Sequence, residues 1–597
     1  MTRNPKLARL VPPLFALALA ACSSASPSPA PYQPGQPVTV DVTGYFTPGS
    51  TVLDAYSGTN TLVSSTGSVT VTPGTEGLVL LEPAGAVPSS FTWKNATVYY
   101  AITDRYADGN VLNNDSYGRP APGAGDVGGW HGGDWAGLTA KLPGLKSLGV
   151  TAIWISPIVE QVHGWVGGGG GNFKHFAYAG YWALDFTMLD QNFGTEAELK
   201  ALVDEAHAQG IRVLVDVVLN HPGYATGDDL LHYLPSVFKD GTGTAFSTWT
   251  PGTGKTWDNW NDLVDYNSPN WVHWWSPSWI RAGFPNFQTD NSSEQTRQLT
   301  FLPDFKTETP GAAGVPDLFN PAWAHPKTPT NFVEIPGGAV RDYLVKWHTD
   351  WVRRLGIDGF RCDTALNVEK ASWAVLKVAG TNALADWKLA NPGLAIDAAP
   401  FWMTGEVYGH GVTKDDYFTT GGFDSLINFG FQPAVRDLLI SSPTSTLAAG
   451  ASTLDPIYQR YADALSSDPA FDALSYLSSH DTRLFFALVA NDPVRQRQAL
   501  TALLLVPGGA QLFYGDESGR QLGPDGGDLT QGTRSDMNWG SSDGSIQGHV
   551  AKLANFRKRH AAIGAGAHAR LVSPAGTWAF GRKQGSDAVV VILTAPR

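Results

Sequence analysis

Cysteine is nearly absent. Cys22 and Cys362 are the two in 597 residues, which excludes an internal disulfide network. Positive charge is in deficit, with 41 Lys and Arg against 54 Asp and Glu and a net charge of −13. That argues against a nucleic-acid partner and favours a neutral polymer. Charged residues are scarce overall, 16% against 43% hydrophobic, a globular composition rather than a disordered one. The length suffices for one large domain and one or two smaller ones. Aromatics are abundant: 21 Trp, 19 Tyr and 27 Phe. Flat rings suit the apolar faces of sugars, but composition alone favours the plainer reading that they fill a large core.

The first 37 residues read as an export signal and a tether. Arg3, Lys6 and Arg9 form a basic start, and Leu10 to Ala21 form an apolar stretch too short to span a bilayer as a helix. Leu19-Ala20-Ala21-Cys22 resembles a bacterial lipoprotein processing site. The expectation is a signal peptide over 1–21 and a mature chain acylated at Cys22. Such a chain is exported and anchored to the cell membrane or outer membrane, on the periplasmic or cell-surface face. Residues 22–37 are a Ser/Pro-rich tether.

Residues 38–90 read as short β-strands punctuated by Gly and Pro, with Val38, Val40 and Val42 alternating with polar residues. From Thr97 strands alternate with helices, which indicates a parallel α/β architecture. Eight candidate strands, Thr97–Ile102, Ala152–Ser156, Ile211–Val217, Gly359–Asp363, Phe401–Glu406, Ser425–Phe429, Leu474–Ser478 and Gln511–Tyr514, make the number a (β/α)₈ TIM barrel requires. Thr195 and Glu198 form a capping box for a helix with Leu199, Leu202, Val203 and Ala206 on its apolar stripe and Gly210 at its end. The barrel is assigned to 91–221 and 336–562. The stretch 222–335, rich in Trp, Pro, Gly and Asp, is too long for a βα loop and is assigned to an inserted lobe after strand 3. Residues 563–597 read as C-terminal β-strands.

The strand ends carry acids, where barrel active sites lie. DVVLNH supplies Asp216, Asn220 and His221; GFRCD supplies Arg361 and Asp363; TGEV supplies Glu406; SSHD supplies His480 and Asp481. Four strand-end acids beside Arg361 and two histidines are hard to explain as helix caps, because facing buried carboxylates are costly without a function.

These four segments, in this order, resemble the active-site regions of the α-amylase family. FLPDFKTE (301–308), AYAGYW (177–182) and FYGDESG (513–519) resemble three more of its motifs, over roughly 95 to 560. HFAYAGYW, AHAQGIRVLVDVVLNH and SSHDTRLF are most similar to bacterial periplasmic members. The resemblance implies a retaining glycoside hydrolase acting on α-1,4-glucans such as starch, glycogen or maltodextrins. It makes Asp363 the nucleophile, Glu406 the general acid/base and Asp481 the stabiliser of the oxocarbenium-like transition state. Tyr181, Trp182, His221, Arg361 and His480 become substrate contacts, and Asp216 a structural acid in the site. Arg361 is expected to keep Asp363 ionised, and Asp363 and Asp481 to raise the pKa of Glu406. Cys362 is read as packing.

The resemblance also implies calcium at two places. Asn220, Asp304 and the carbonyl of Asn367 match one ligand set, between barrel and lobe. Asp108, Asn110, Asn113, Asn114, Gly132 and Asp134, in TDRYADGNVLNN and HGGDW, match a second. The sequence departs from the family at Ala179, Leu366 and Asn367, which bears on subsite contacts. A transglycosylase on the same substrates and a non-catalytic glucan-binding lipoprotein remain alternatives; the intact Asp363, Glu406 and Asp481 stand against the latter. No nucleic-acid partner is expected, and a monomer is favoured. After the barrel only two or three strand-like segments follow, while 50–82 resembles the missing half of the family's C-domain. The expectation is a permuted antiparallel β-sandwich built from both flanks of the barrel; the rival reading is a separate N-terminal sugar-binding module with a shortened C-domain.

Overall fold

The computed structural model describes residues 32–120, 127–289, 291–442 and 444–597. The signal segment and Cys22 lie outside the described residues. Among those described, no helix is long and apolar enough to cross a membrane.

Eight parallel strands close into a barrel: Thr97–Ala101, Ala152–Ile155, Arg212–Val217, Gly359–Cys362, Trp402–Gly405, Ser425–Asn428, Asp472–Tyr476 and Gly509–Phe513. Their residues are buried without alternation, as strands covered on both faces must be. All eight expected strands are present, with bounds shifted by one or two residues. The helix Glu196–Ala208 carries the capping box of Thr195 and Glu198, and buries Leu199, Leu202, Val203 and Ala206.

Register decides which side chains meet. Asp216 pairs with Arg361, and Arg361 with Thr404, across three neighbouring strands. The ladder then runs past the strand ends: Asp363 N–H donates to Val217, Glu406 N–H to Cys362 and Ala365 N–H to Glu406, each at 2.9 Å. The backbones of the two acids are therefore fixed by hydrogen bonds.

Two features extend the sequence reading. Between the second strand and the helix at Glu196, a region expected to be plain barrel, lie two hairpins. Val159–Gln161 pairs with Ala183–Leu189, and Trp165–Gly168 with Phe173–Phe176. The second turns through Gly169, Gly170 and Gly171, all with positive φ, which glycine alone adopts freely. The lobe over 222–335 joins them. Lys327 is buried, with Nζ 2.5 Å from Glu160 Oε2 and 3.1 Å from Asp185 Oδ2. The lobe also explains much of the tryptophan. Trp271, Trp274, Trp275 and Trp279 are fully buried, and Trp279 stacks at 5.8 Å on Trp347 of the helix Val340–Leu355. These rings are core, not sugar platforms.

The flanks of the barrel share one sheet. Its six strands run in the order Ala567–Leu571, Trp578–Gln584, Asp587–Leu593, Leu78–Pro83, Thr51–Asp54, Thr59–Leu62, with Val590 opposite Leu81. A second layer, Val38–Asp41 on Ser68–Val71, closes over it. Val38, Val40, Val52, Val69, Leu81, Val590 and Ile592 fill the space between. Tyr32 N–H reaches Ala575 O at 2.9 Å, so the last residues assigned to the tether are held against this sandwich.

Candidate active site

One guanidinium organises the carboxyl ends of the strands. Arg361 Nη1 donates to both Asp216 oxygens at 3.0 Å and to Asp363 Oδ1 at 2.8 Å, and Nη2 donates to Glu406 Oε2 at 2.8 Å. The period-two geometry of a strand puts Arg361 and Asp363 on one face. Thr364, at φ 46, donates its N–H to Glu406 Oε2 at 3.2 Å. Asp216 also accepts from Trp154 Nε1 at 3.1 Å and from the Tyr181 hydroxyl at 2.7 Å.

Burial and charge separate the acids. Burial pushes Glu406 up to about 7; Arg361 opposes this, and Asp363 and Asp481 add to it. Burial pushes Asp363 up to about 6 against the pull of Arg361. Desolvation outweighs the ion pair here, because this guanidinium is shared by three carboxyl groups. Asp481 is held below its ordinary value, as the Arg534 and Arg361 guanidinium groups oppose its burial. The order that results, Asp481 below Asp363 below Glu406, assigns the proton to Glu406.

Around these acids is a cavity of about 440 Å³. Tyr181, Trp182, His221, Asp363, Glu406, His480 and Asp481 line it, with Ala179 on its wall; Arg361 and Asp216 lie beneath. The Tyr181 ring stacks on His480 at 5.3 Å and 5°. Burial lowers His221 to about 4 and His480 to about 3, so both are neutral hydrogen-bonding groups near pH 7. His221 Nε2 lies 3.1 Å from Tyr181 O, and its Nδ1 3.1 Å from Asn220 Nδ2. Leu366 and Asn367 do not line the cavity. Cys362 is fully buried.

Arg534 was missed by the sequence reading. It lies beyond the short helix Leu529–Thr533, in the loop after the eighth strand, and Nη2 reaches Asp481 Oδ1 at 3.0 Å. The available signal was its place in a βα loop, which must lie on the catalytic face. Leu299, Thr300 and Leu302 of the lobe and Thr530 also border the cavity. No strand-end pattern marks them.

The two calcium ligand sets differ. In the second, Asn113 Oδ1 and Asn114 Oδ1 are buried without a hydrogen-bond partner. Asn114 Nδ2 bonds Asp108 at 2.8 Å, and a Cβ on Gly132 would lie 2.7 Å from Asn114 Oδ1. Asp134 caps the helix Trp135–Leu148 and accepts from the N–H groups of Gly109, Asn110 and Gly137. Asn110 Oδ1 faces Leu112 N–H at 3.3 Å. Two orphaned amide oxygens beside a buried carboxylate fit a hard cation. In the first set, Asn220 and Asp304 are brought together by a 2.8 Å bond from Phe305 N–H to Asn220 O, and Asn220 Oδ1 is buried and unpartnered. Arg281, however, already neutralises Asp304, with Nη1 2.8 Å from Oδ2, and binds Glu308 as well. The Asn367 side chain donates to Glu294 O. A divalent ion at this set would share Asp304 with Arg281.

Comparison with known proteins follows the same lines. The model of the family described as alpha amylase, catalytic domain, matches residues 97–281 and 334–560. The periplasmic alpha-amylase of Escherichia coli (strain K12) is 44% identical over 94% of this chain and 81% of that protein. The beta/alpha-amylase of Paenibacillus polymyxa is 26% identical over 84% of this chain and 33% of its own length. Among solved structures, the alpha-amylase of Geobacillus thermoleovorans complexed with acarbose superposes with a TM-score of 0.56 at 23% identity, covering 84% of this chain and 87% of that one; this is a likeness of fold.

Proposed function

This chain belongs to the α-amylase family, and from that premise we propose that it hydrolyses α-1,4-glucosidic bonds by double displacement with Asp363 as nucleophile and Glu406 as acid/base. The observation that carries the assignment is the pair of carboxyl groups lining the cavity from neighbouring strand ends, both held by one guanidinium. The like charges of Asp363 and Asp481 add to the rise at Glu406, which favours the proton there.

In the first displacement the Asp363 carboxylate attacks the anomeric carbon. The glycosidic C–O bond breaks, and the leaving oxygen takes the Glu406 proton. A glycosyl ester on Asp363 results. Glu406, now a carboxylate, takes a proton from water as its oxygen attacks the anomeric carbon. The ester bond breaks and Asp363 is restored. Two inversions retain the α configuration. Asp481, ionised and aligned by Arg534, stabilises positive charge developing on the ring. Neutral His221 and His480 line the cavity beside it, and the faces of Tyr181 and Trp182 pack on it.

Calcium at the second set would be held by Asp108, Asn110, Asn113, Asn114, Gly132 and Asp134, and would brace the loop after the first strand. Export to the periplasm follows the nature of the E. coli relative, and anchoring follows acylation of Cys22. Reducing-sugar release from soluble starch, with proton NMR of the first product, tests the assignment. The α-anomer is expected; a first-formed β-anomer or no release overturns it.

A further inference from the structure

A glucan that crosses the cavity must pass over its rim, and one side of that rim is a bare aromatic. Phe301 is 89% exposed, the most exposed large hydrophobic residue among those described. Its neighbours Thr300 and Leu302 both line the cavity. Leu302 N–H closes a tight turn onto Leu299 O at 2.9 Å, with Thr300 at φ 49 and Phe301 at φ 66 in the left-handed region. Such a turn is ordinarily made with Asn and Gly, since a side chain at positive φ is strained. Here a large apolar ring occupies it.

The turn is anchored rather than loose. Tyr224, itself a cavity residue, donates its hydroxyl to Thr300 O at 2.8 Å. The Tyr224 ring packs edge-on against Trp182 at 4.9 Å. Trp182, Tyr224, Thr300 and Phe301 thus form a connected path from the cavity wall to the rim. Phe301 has no ring partner among the described residues. Folding leaves its apolar face wet, and strain at an exposed position is retained where the position has a use.

We propose that Phe301 is an aromatic binding platform for α-glucan, covering the C–H face of a glucose unit outside the cavity. This inference rests on the glucan reading above and extends it to chain-length preference: long maltodextrins reach the platform, short ones do not.

The test is titration calorimetry in the slow Asp363→Asn background with maltotriose and maltoheptaose. Adding Phe301→Ala should weaken maltoheptaose about three- to tenfold, leave maltotriose unchanged, and be rescued by Phe301→Trp. Unchanged maltoheptaose affinity, or equal weakening for both sugars, overturns the proposal. Hydrolysis of starch by the unsubstituted chain tests the amylase reading separately. Starch turnover with a maltoheptaose affinity indifferent to Phe301 overturns the platform alone; absent turnover with a Phe301-dependent affinity overturns the catalytic reading alone.

Discussion

Arg534 lies with Nη2 3.0 Å from Asp481 Oδ1, and Asp481 Oδ2 is 3.0 Å from His480 Nε2. The acid expected to face the transition state is therefore oriented from both sides, by its own strand end and by a loop some fifty residues further along. Arg534 is a positioning residue. Arg534→Gln should lower kcat about ten- to a hundredfold and raise the pKa governing Asp481, with smaller effect on KM. Equal kcat and an unshifted pH profile would deny it that role.

Asp363→Asn should reduce kcat on maltodextrin by roughly 10⁴-fold while the thermal unfolding curve retains its cooperativity. Glu406→Gln should also be crippled, but less so on substrates whose leaving group needs no proton, such as aryl maltosides. Wild-type turnover by Asp363→Asn rules out the nucleophile assignment.

The pH dependence follows from the two raised carboxyls. Asp363 acts ionised, so kcat/KM falls as pH drops through about 6. Glu406 acts protonated, so kcat/KM falls as pH rises through about 7. A narrow bell between these limbs is expected. Substituting Asp481 by Asn removes a like charge and should move the alkaline limb downward. An alkaline limb that stays in place would show that Asp481 does not act on Glu406.

Chelation should lower the melting temperature, because a cation bound only to the folded chain stabilises it by mass action. Asn113→Ala should abolish that sensitivity, whereas Asn220→Ala should not, given Arg281 on Asp304. A chelator response lost in Asn220→Ala and kept in Asn113→Ala reverses the assignment of the two sets.

The flanking sandwich should be required for folding. Leu81 is fully buried opposite Val590, and Leu81→Ala should cost about 2–5 kcal/mol, read by denaturant unfolding. Deletion of 38–83 strips Asp587–Leu593 of one of its two partner strands and should abolish soluble protein. A soluble, active barrel lacking that segment would show the sheet to be dispensable.

Much of this molecule was legible before folding. Residue spacing is local chemistry: the eight strands, the Thr195–Glu198 capping box and the pairing of Arg361 with Asp363 two residues apart depend on neighbours in the chain. The acids Asp216, Asp363, Glu406 and Asp481 could be named because each ends a strand, and strand ends of a closed barrel converge. What contacts those acids across long separations was not legible. Arg534 on Asp481, Arg281 on Asp304, Lys327 between Glu160 and Asp185, and the exposed Phe301 beside the cavity all lie on irregular segments with no period to read. The same holds for protonation. Arg361 beside Asp363 suggested an ionised carboxylate, and how far its pKa moves depends on how much water the closed barrel excludes and how many carboxyls share one guanidinium. Desolvation and long-range pairing are properties of the packed chain, so only the tertiary structure decided them.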